Sequence, residues 1–159
     1  MINTVIVHLV ENYGYMAFFL AFTLGPFGVP VPNEVTIMTG AVLSSTGMLN
    51  PYMTYMCMLL GLVTAITISY IAGKCFGQYL HARLQQKPYV HKAEKLFERL
   101  GNKALCIGFF IPVLRYVLPL FAGIHGMTYR MFVILAYSSA LLWTGLFFII
   151  GHYAGAFLF

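Results

Sequence analysis

Aspartate is absent from this chain, and glutamate occurs only as Glu11, Glu34, Glu94 and Glu98. That removes every mechanism needing an Asp ligand, an Asp nucleophile or an Asp–His pair, and with it a lipid phosphotransferase built on clustered Asp residues. Charge of either sign is scarce, at 8% of residues, against roughly 25% in an ordinary soluble domain. Cys57, Cys75 and Cys106 lack metal-ligand spacing, and Cys57 and Cys106 lie in apolar runs, where small buried hydrophobes are expected. The histidines are too scattered for a zinc site. His8, His81 and His91 suit surface positions, and His125 and His152 suit interfacial segment ends. Neither G-x-S-x-G, H-E-x-x-H nor a Walker sequence occurs, and Ser44, Ser45, Ser69, Ser138 and Ser139 have no convincing base partner. Enzyme chemistry, a bound metal and a cofactor are therefore not expected. The first twenty residues carry no Lys or Arg, so no cleavable signal peptide is expected.

What fills the chain instead is apolar: 60% of its 159 residues are hydrophobic, and the mean hydropathy is +0.83. A soluble fold of this size cannot hide that much apolar surface. The reading is therefore a single-domain, all-α integral membrane protein. Seven of the nine basic residues fall between Lys74 and Lys103, and none precedes Lys74. Such a block resists translocation and marks a cytoplasmic segment, where it also attracts anionic lipid head groups. Basic and aromatic residues are not interleaved on a soluble face, so nucleic acid is not expected as a partner.

Along the chain, residues 3–12 read as a short interfacial helix. Residues 13–45 are apolar but interrupted at GPFGVPVPNE, where Pro26, Pro30 and Pro32 forbid a regular helix. The flanking pieces are too short to span, since a crossing needs about 20 apolar residues; the element reads as broken or re-entrant. Residues 52–73 form an uncharged spanning helix, 74–103 an amphipathic helix at the cytoplasmic surface, and 104–123 an apolar stretch broken by Pro112, Arg115 and Pro119. Residues 131–150 make the second span. Trp143 and the many Tyr residues read as packing and interface anchors.

The halves, about 11–73 and 98–155, echo each other. Glu11–Gly14 resembles Glu98–Gly101, Gly40 corresponds to Gly123, Gly47-Met48 to Gly126-Met127, and Tyr70–Gly73 to His152–Gly155. With 74–103 cytoplasmic, helix 52–73 runs inward. If 104–130 dips in and returns, 131–150 runs outward, and the halves form an inverted repeat whose broken elements meet near the midplane.

Two charges stand out. Glu34 opens an apolar run in the first turn of a half-helix, where the helix dipole favours a carboxylate and Asn33 is positioned to cap. Arg115 has no Asp, Glu, Lys or Arg for ten positions before it and fourteen after. Pro119, four residues on, has no N–H for the Arg115 carbonyl. Ionisable residues at such depth are costly and mark function, and broken backbone is tolerated in a bilayer where it lines a cavity. The bland alternatives are a solvated Glu34 at the interface and an Arg115 that snorkels or only pairs with Glu34.

PVPNE (30–34) followed by Gly40, FERLG (97–101), IPVLRYVLPLFAG (111–123), then Met127, Phe132, Trp143 and HYAG (152–155) together resemble the DedA family, also described as SNARE-associated or VTT-domain proteins. The resemblance covers nearly the whole chain. It implies two oppositely oriented broken elements in a multi-pass protein of the bacterial cytoplasmic membrane. It also implies lipid transport: return of undecaprenyl phosphate in bacteria, phospholipid scrambling in eukaryotic relatives. Glu34 matches the family's acid after the second proline, and Arg115 its second arginine. Pro30, Pro32, Asn33, Gly40, Pro112, Pro119 and Gly123 are the supporting motif. Two positions depart: many members carry an acid where this chain has Gly25 and an arginine where it has Phe109. Loss of an ion pair accounts for both, because either partner alone would be costly in lipid, and it weighs against the proton coupling often attributed to those groups.

Three functions stay open at this point: a lipid translocator whose Arg115 holds a phosphate head group; a small-solute or ion transporter, proton-coupled or not, with an aqueous route; and a non-transporting membrane partner protein. Self-association is also left open.

Overall fold

The computed structural model describes the backbone of residues 2–25 and 32–158, and side chains from Tyr13 onward within those ranges apart from positions 80, 81, 84 and 158. The break expected at Pro26 and Pro30 therefore lies outside the described residues. The described chain is helical: α1 (Ile2–Thr23), α2 (Asn33–Ser45), α3 (Pro51–Leu84), α4 (Pro88–Leu100), α5 (Ala104–Gly108), α6 (Leu114–Ile124), α7 (Tyr129–Phe132) and α8 (Ser138–Leu158), with a π-helical stretch Val133–Tyr137 joining the last two. Two stretches, Pro51–Tyr79 and Tyr129–Phe157, are 29 residues each with mean hydropathies of 1.9 and 2.1. At 1.5 Å per residue each reaches about 43 Å, more than the ~30 Å of a bilayer core. Their outward faces are themselves apolar, with Met56, Leu60 and Ile71 on α3 and Leu142, Leu146 and Ile149 on α8 exposed. Such faces suit lipid, and this is an all-α membrane protein.

Three boundaries differ from the expectations. Helix α1 runs unbroken through Tyr13, so 3–12 is not a separate helix; Glu11 and Asn12 change polarity without breaking the backbone, and Gly14 sits mid-helix. Its supposed counterpart Gly101 does end a helix, α4, at φ 56°. Helix α3 continues past Gly73 to a kink at Phe76, three residues beyond the expected end, and helix resumes after it as far as Leu84 within the basic block. Only Pro88–Leu100 is the amphipathic helix, with Pro88 opening it as N1 residues often do. Its apolar face, Val90, Ala93 and Phe97, is buried against protein, and the Phe97 ring stacks on His125 at 4.7 Å. It is therefore docked on its own chain.

The chain divides into two compact units, Met1–Leu62 with Leu142–Phe159, and Val63–Leu141. In the first, the backbone N–H of Asn50 donates to Tyr15 Oη at 2.9 Å, and Phe19 and Phe22 of α1 lie against Gly61 of α3. From Tyr15 onward helix α1 thus runs parallel to α3, and α2 runs back to the level of Tyr15. Helix α2 lies along α8, where a Cβ on Gly151 would meet Ala41 Cβ and Met38 Cα at 2.9 Å, and one on Gly155 would meet Val42 Cα at 3.0 Å. In the second unit, α5 enters, a turn at 109–113 reverses the chain, and α6 comes back along α3. Gly73 of α3 faces the Leu120 backbone, with Leu120 Cα at 3.1 Å from a built Cβ, and Gly77 faces Ile124 at 3.0 Å. Asn102 Nδ2 donates to Met131 Sδ at 3.2 Å, so entry and exit share one end. From Tyr15 and from Asn102 the chain thus enters and returns to one end, although α1 itself is 22 residues long, and each re-entrant stretch is followed by a span.

The short helices close in the same way. In α2 the N–H groups of Gly47 and Met48 donate to Ser44 and Leu43 carbonyls at 3.3 and 3.2 Å; in α6 those of Gly126 and Met127 donate to Gly123 and Ala122 at 3.1 and 3.0 Å. Gly47 and Gly126 have φ of 79° and 71°, the left-handed caps that satisfy a helix's last carbonyls. This sets the register between the halves. Leu43 answers Ala122, so Gly40 answers Pro119 and not Gly123, and the span glycines answer as Gly73 to Gly151 and Gly77 to Gly155, not Gly73 to Gly155. Matching letters misled because what recurs is close backbone approach, which small residues four apart allow where lipid tails leave no hydrophobic drive between helices.

Gly73→Ala is accordingly expected to lower stability in detergent by about 1–3 kcal/mol, because the new methyl overpacks the Leu120 carbonyl. Gly145→Ala, whose nearest neighbour would be Tyr55 Oη at 3.5 Å, should leave the thermal midpoint unchanged. Equal midpoints for the two variants would refute the close-approach account.

Candidate functional site

Helix α2 begins at Asn33, with Pro32 as its N-cap at φ −69°, ψ 100°. Asn33 is thus the first helical residue, 6% exposed, and not the cap expected of it. Pro32 already holds the extended conformation a cap needs, so the helix starts one residue earlier. Glu34 is in the first turn as expected, half-buried, where the helix dipole favours negative charge. Thr36 and Thr39 hydroxyls turn back to the Pro32 and Val35 carbonyls at 3.2 and 2.7 Å, and Glu34 is the acidic residue of the first turn. Gly40 is buried against Met58 and Thr54 of α3 and Phe18 of α1. Since Met38 and Ala41 face Gly151, Glu34 stands at the level of about Thr144–Phe147 of α8, close to the middle of that span.

Arg115 is the second residue of α6, as Glu34 is of α2. It is fully buried, at 0% exposure, and is the largest such side chain among the described residues. The break before it satisfies its own backbone: Phe110 and Ile111 N–H donate to Ile107 and Gly108 at 3.2 and 3.1 Å, and Arg115 N–H to Ile111 at 3.2 Å. Pro112 sits within this turn, where no helical amide is required. Pro119 lies inside α6 and has no N–H to offer the Arg115 carbonyl. Gly123 lets α6 touch α3, facing the Tyr70 carbonyl and, at 2.7 Å from a built Cβ, the Lys74 backbone nitrogen. Leu120 faces Gly73, so Arg115, five residues earlier, stands about 7.5 Å deeper, near Ile68. Each charge thus occupies the middle depth of the span beside its own helix.

The supporting residues gather accordingly: Pro32, Asn33, Glu34 and Gly40 in the first unit, Pro112, Arg115, Pro119 and Gly123 in the second. Gly25 closes the described end of α1, and Phe109 is buried at 1% exposure beside the reversal. No group of three or more His, Cys, Asp or Glu is placed to hold a metal among the described residues. All three cysteines are free; Cys57 and Cys106 are half-buried and not buried as expected, because each sits at the edge of a lipid-facing surface, and Cys75 is exposed. His125 is at a helix end, with Nδ1 2.8 Å from the Phe121 carbonyl. His152 is not at a segment end, because α8 continues to Leu158; with Tyr52, Tyr55 and Phe148 it lines a pocket of about 480 Å³. Trp143 is buried, a packing residue as read.

Sequence reading missed a hydroxyl chain in the second unit. Thr67 Oγ1 donates to the Val63 carbonyl at 2.6 Å and lies 2.7 Å from Tyr137 Oη, which lies 3.3 Å from Tyr129 Oη. Beside it, Tyr70 donates to the Met127 carbonyl and stacks on Phe132 at 4.3 Å. The π-helical stretch ending at Tyr137 sets the register of that hydroxyl, and nothing local in VILAY announces it.

Comparison with known proteins places these features in context. The model of the VTT domain matches residues 31–153. An uncharacterized membrane protein of Bacillus subtilis, YbfM, is 32% identical over 153 residues, covering 92% of this chain and 94% of that one. Protein DedA of Escherichia coli K12 is 27% identical over 166 aligned positions, covering 97% and 76%. An uncharacterized membrane protein of Mycobacterium bovis is 32% identical over 127 residues, covering 74% and 58%. No solved structure gives a significant match.

Proposed function

Because the chain belongs to the VTT-domain family, also called DedA, we propose that it carries a phosphate-headed lipid, undecaprenyl phosphate or a related phospholipid, across the bacterial cytoplasmic membrane. The observation that carries this reading is the fully buried Arg115 at mid-span depth, on a proline-interrupted helix too short to cross a bilayer. A bare phosphate cannot traverse about 30 Å of hydrocarbon. Arginine offers a planar, permanently charged fork that matches phosphate oxygens two at a time. The prenyl or acyl tail stays in the bilayer while the head group passes through the site. An ionised Glu34 at the site would repel that phosphate. In the proposed cycle Glu34 pairs with Arg115 in the empty state and takes a proton when lipid phosphate displaces it. Phe109, apolar and buried, fits a site that works without the family's other ion pair.

The test is transport of labelled polyprenyl phosphate and of a simple phospholipid in liposomes containing the purified protein. Movement of either above protein-free liposomes supports the reading. Movement of small anions in place of lipid overturns it in favour of an aqueous transporter.

Orientation has its own test. Gln85 and Gln86 are exposed in the turn between α3 and α4. Single cysteines there, in a chain lacking the native three, should resist a membrane-impermeant thiol reagent in intact cells, because the basic block is retained inside. Ready labelling would reverse the proposed orientation.

A further inference from the structure

We propose a second lipid site, separate from Glu34 and Arg115: a pocket at the basic end of α3 that holds the phosphate of an anionic phospholipid in the adjoining leaflet. The proposal requires only that α3 crosses the bilayer and is independent of the transport reading.

The pocket exists because α3 is not regular there. Phe76 leaves helical geometry at φ −121°, ψ 18°, three residues before the apolar span ends at Tyr79. Around the irregularity lies a cavity of about 450 Å³, within the roughly 300–1,000 Å³ common for ligand pockets. Its polar lining includes Lys74, Gln78 and Tyr79, an ammonium, an amide and a phenol. Gly73 and Gly77 line it without side chains and let Ile124 of α6 form an apolar wall. Arg83, one turn beyond, donates from Nη1 to Tyr79 Oη at 3.4 Å, with its guanidinium 5.9 Å from the ring centroid. The Tyr79 O–H can then donate outward, and a second cation stands beside the pocket.

Charge and depth identify the occupant. No carboxylate occurs between Glu34 and Glu94, so the chain supplies no acid along this helix to neutralise Lys74 and Arg83. The ligand is an anion, and the cation with neutral donors suits phosphate oxygens. The pocket lies where the apolar span meets the basic segment, the level of lipid head groups. Phe76, 64% exposed, offers apolar surface beside it for the glycerol and upper acyl carbons. A soluble phosphate has no use for that surface; an anionic phospholipid uses both.

Cys75 lines the same pocket and is exposed, which makes it the reporter. With Cys57→Ala and Cys106→Ala in place, alkylation of Cys75 by an uncharged maleimide is followed in detergent during titration with short-chain phosphatidylglycerol, phosphatidylcholine or inorganic phosphate. Phosphatidylglycerol should slow the reaction saturably, and phosphatidylcholine and inorganic phosphate should not at the same concentrations. Lys74→Gln should raise the half-protecting phosphatidylglycerol concentration about fivefold, the worth of one lysine at an anionic surface, and Lys74→Arg should restore it. The site is refuted by no protection, by equal protection from phosphatidylcholine, or by an unchanged half-protecting concentration in Lys74→Gln. Equal protection by inorganic phosphate overturns the lipid as its occupant.

Discussion

Arg115→Lys is expected to fold and yet lose lipid transport, with the reconstituted rate falling about tenfold to a hundredfold. Arg115 is wholly buried in α6 behind the reversal at 109–113. A permanent charge held at that depth is useful for what it binds, because its desolvation is costly and packing alone would be served by an apolar side chain. Lysine keeps the charge but replaces a rigid fork by a point charge, forfeiting at least one charge-assisted hydrogen bond of about 1.5–3 kcal/mol. The measurement is initial rate in liposomes, with the thermal midpoint taken in parallel to establish folding. A folded lysine variant that carries lipid at the unmodified protein's rate would end the proposal that Arg115 grips phosphate.

The second large effect concerns stability. In the proposed cycle the two side chains pair in the empty state, so Glu34→Gln and Arg115→Gln are each expected to destabilise by about 3–5 kcal/mol, each removal leaving the other charge uncompensated. The double variant should fall short of the sum by about 1–3 kcal/mol while transporting nothing. The expectation follows from the proposed cycle, in which the two side chains exchange partners. Their matched places, each second in a re-entrant helix at the middle depth of its span, agree with a shared role. Effects that add within about 0.5 kcal/mol would make the residues independent, and the proton-exchange step would have to be abandoned.

Several parts of this arrangement were legible without coordinates. The proline at 32 starts a helix and the proline at 112 sits in a reversal, as the missing amide and the fixed φ require. The correspondence of Gly47-Met48 with Gly126-Met127 was legible too, and the structure adds its reason: both glycines take the left-handed conformation that closes their helices' last carbonyls. Other parts were not legible. Polarity changed at Tyr13, but helix continued through it, because intrahelical hydrogen bonds are indifferent to whether side chains meet lipid or water. Past Lys74 the chain kinks at Phe76 and then resumes helix, which no proline there announces. Asn33 looked like a cap until Pro32 took that place.

The amino-acid sequence by itself determined the solvent, the breaks and the charges. So few ionisable groups beside two long apolar runs admit only a bilayer, and backbone chemistry puts interruptions at prolines. Tertiary structure alone decided which surfaces meet: Gly73 with Leu120 and Gly151 with Ala41, Phe97 over His125, Tyr137 beside Thr67 through a π-helical stretch, and a pocket opened at Phe76. These depend on the rotation and depth of one helix against another, set by close packing between residues far apart in the chain. No local pattern encodes such a distance.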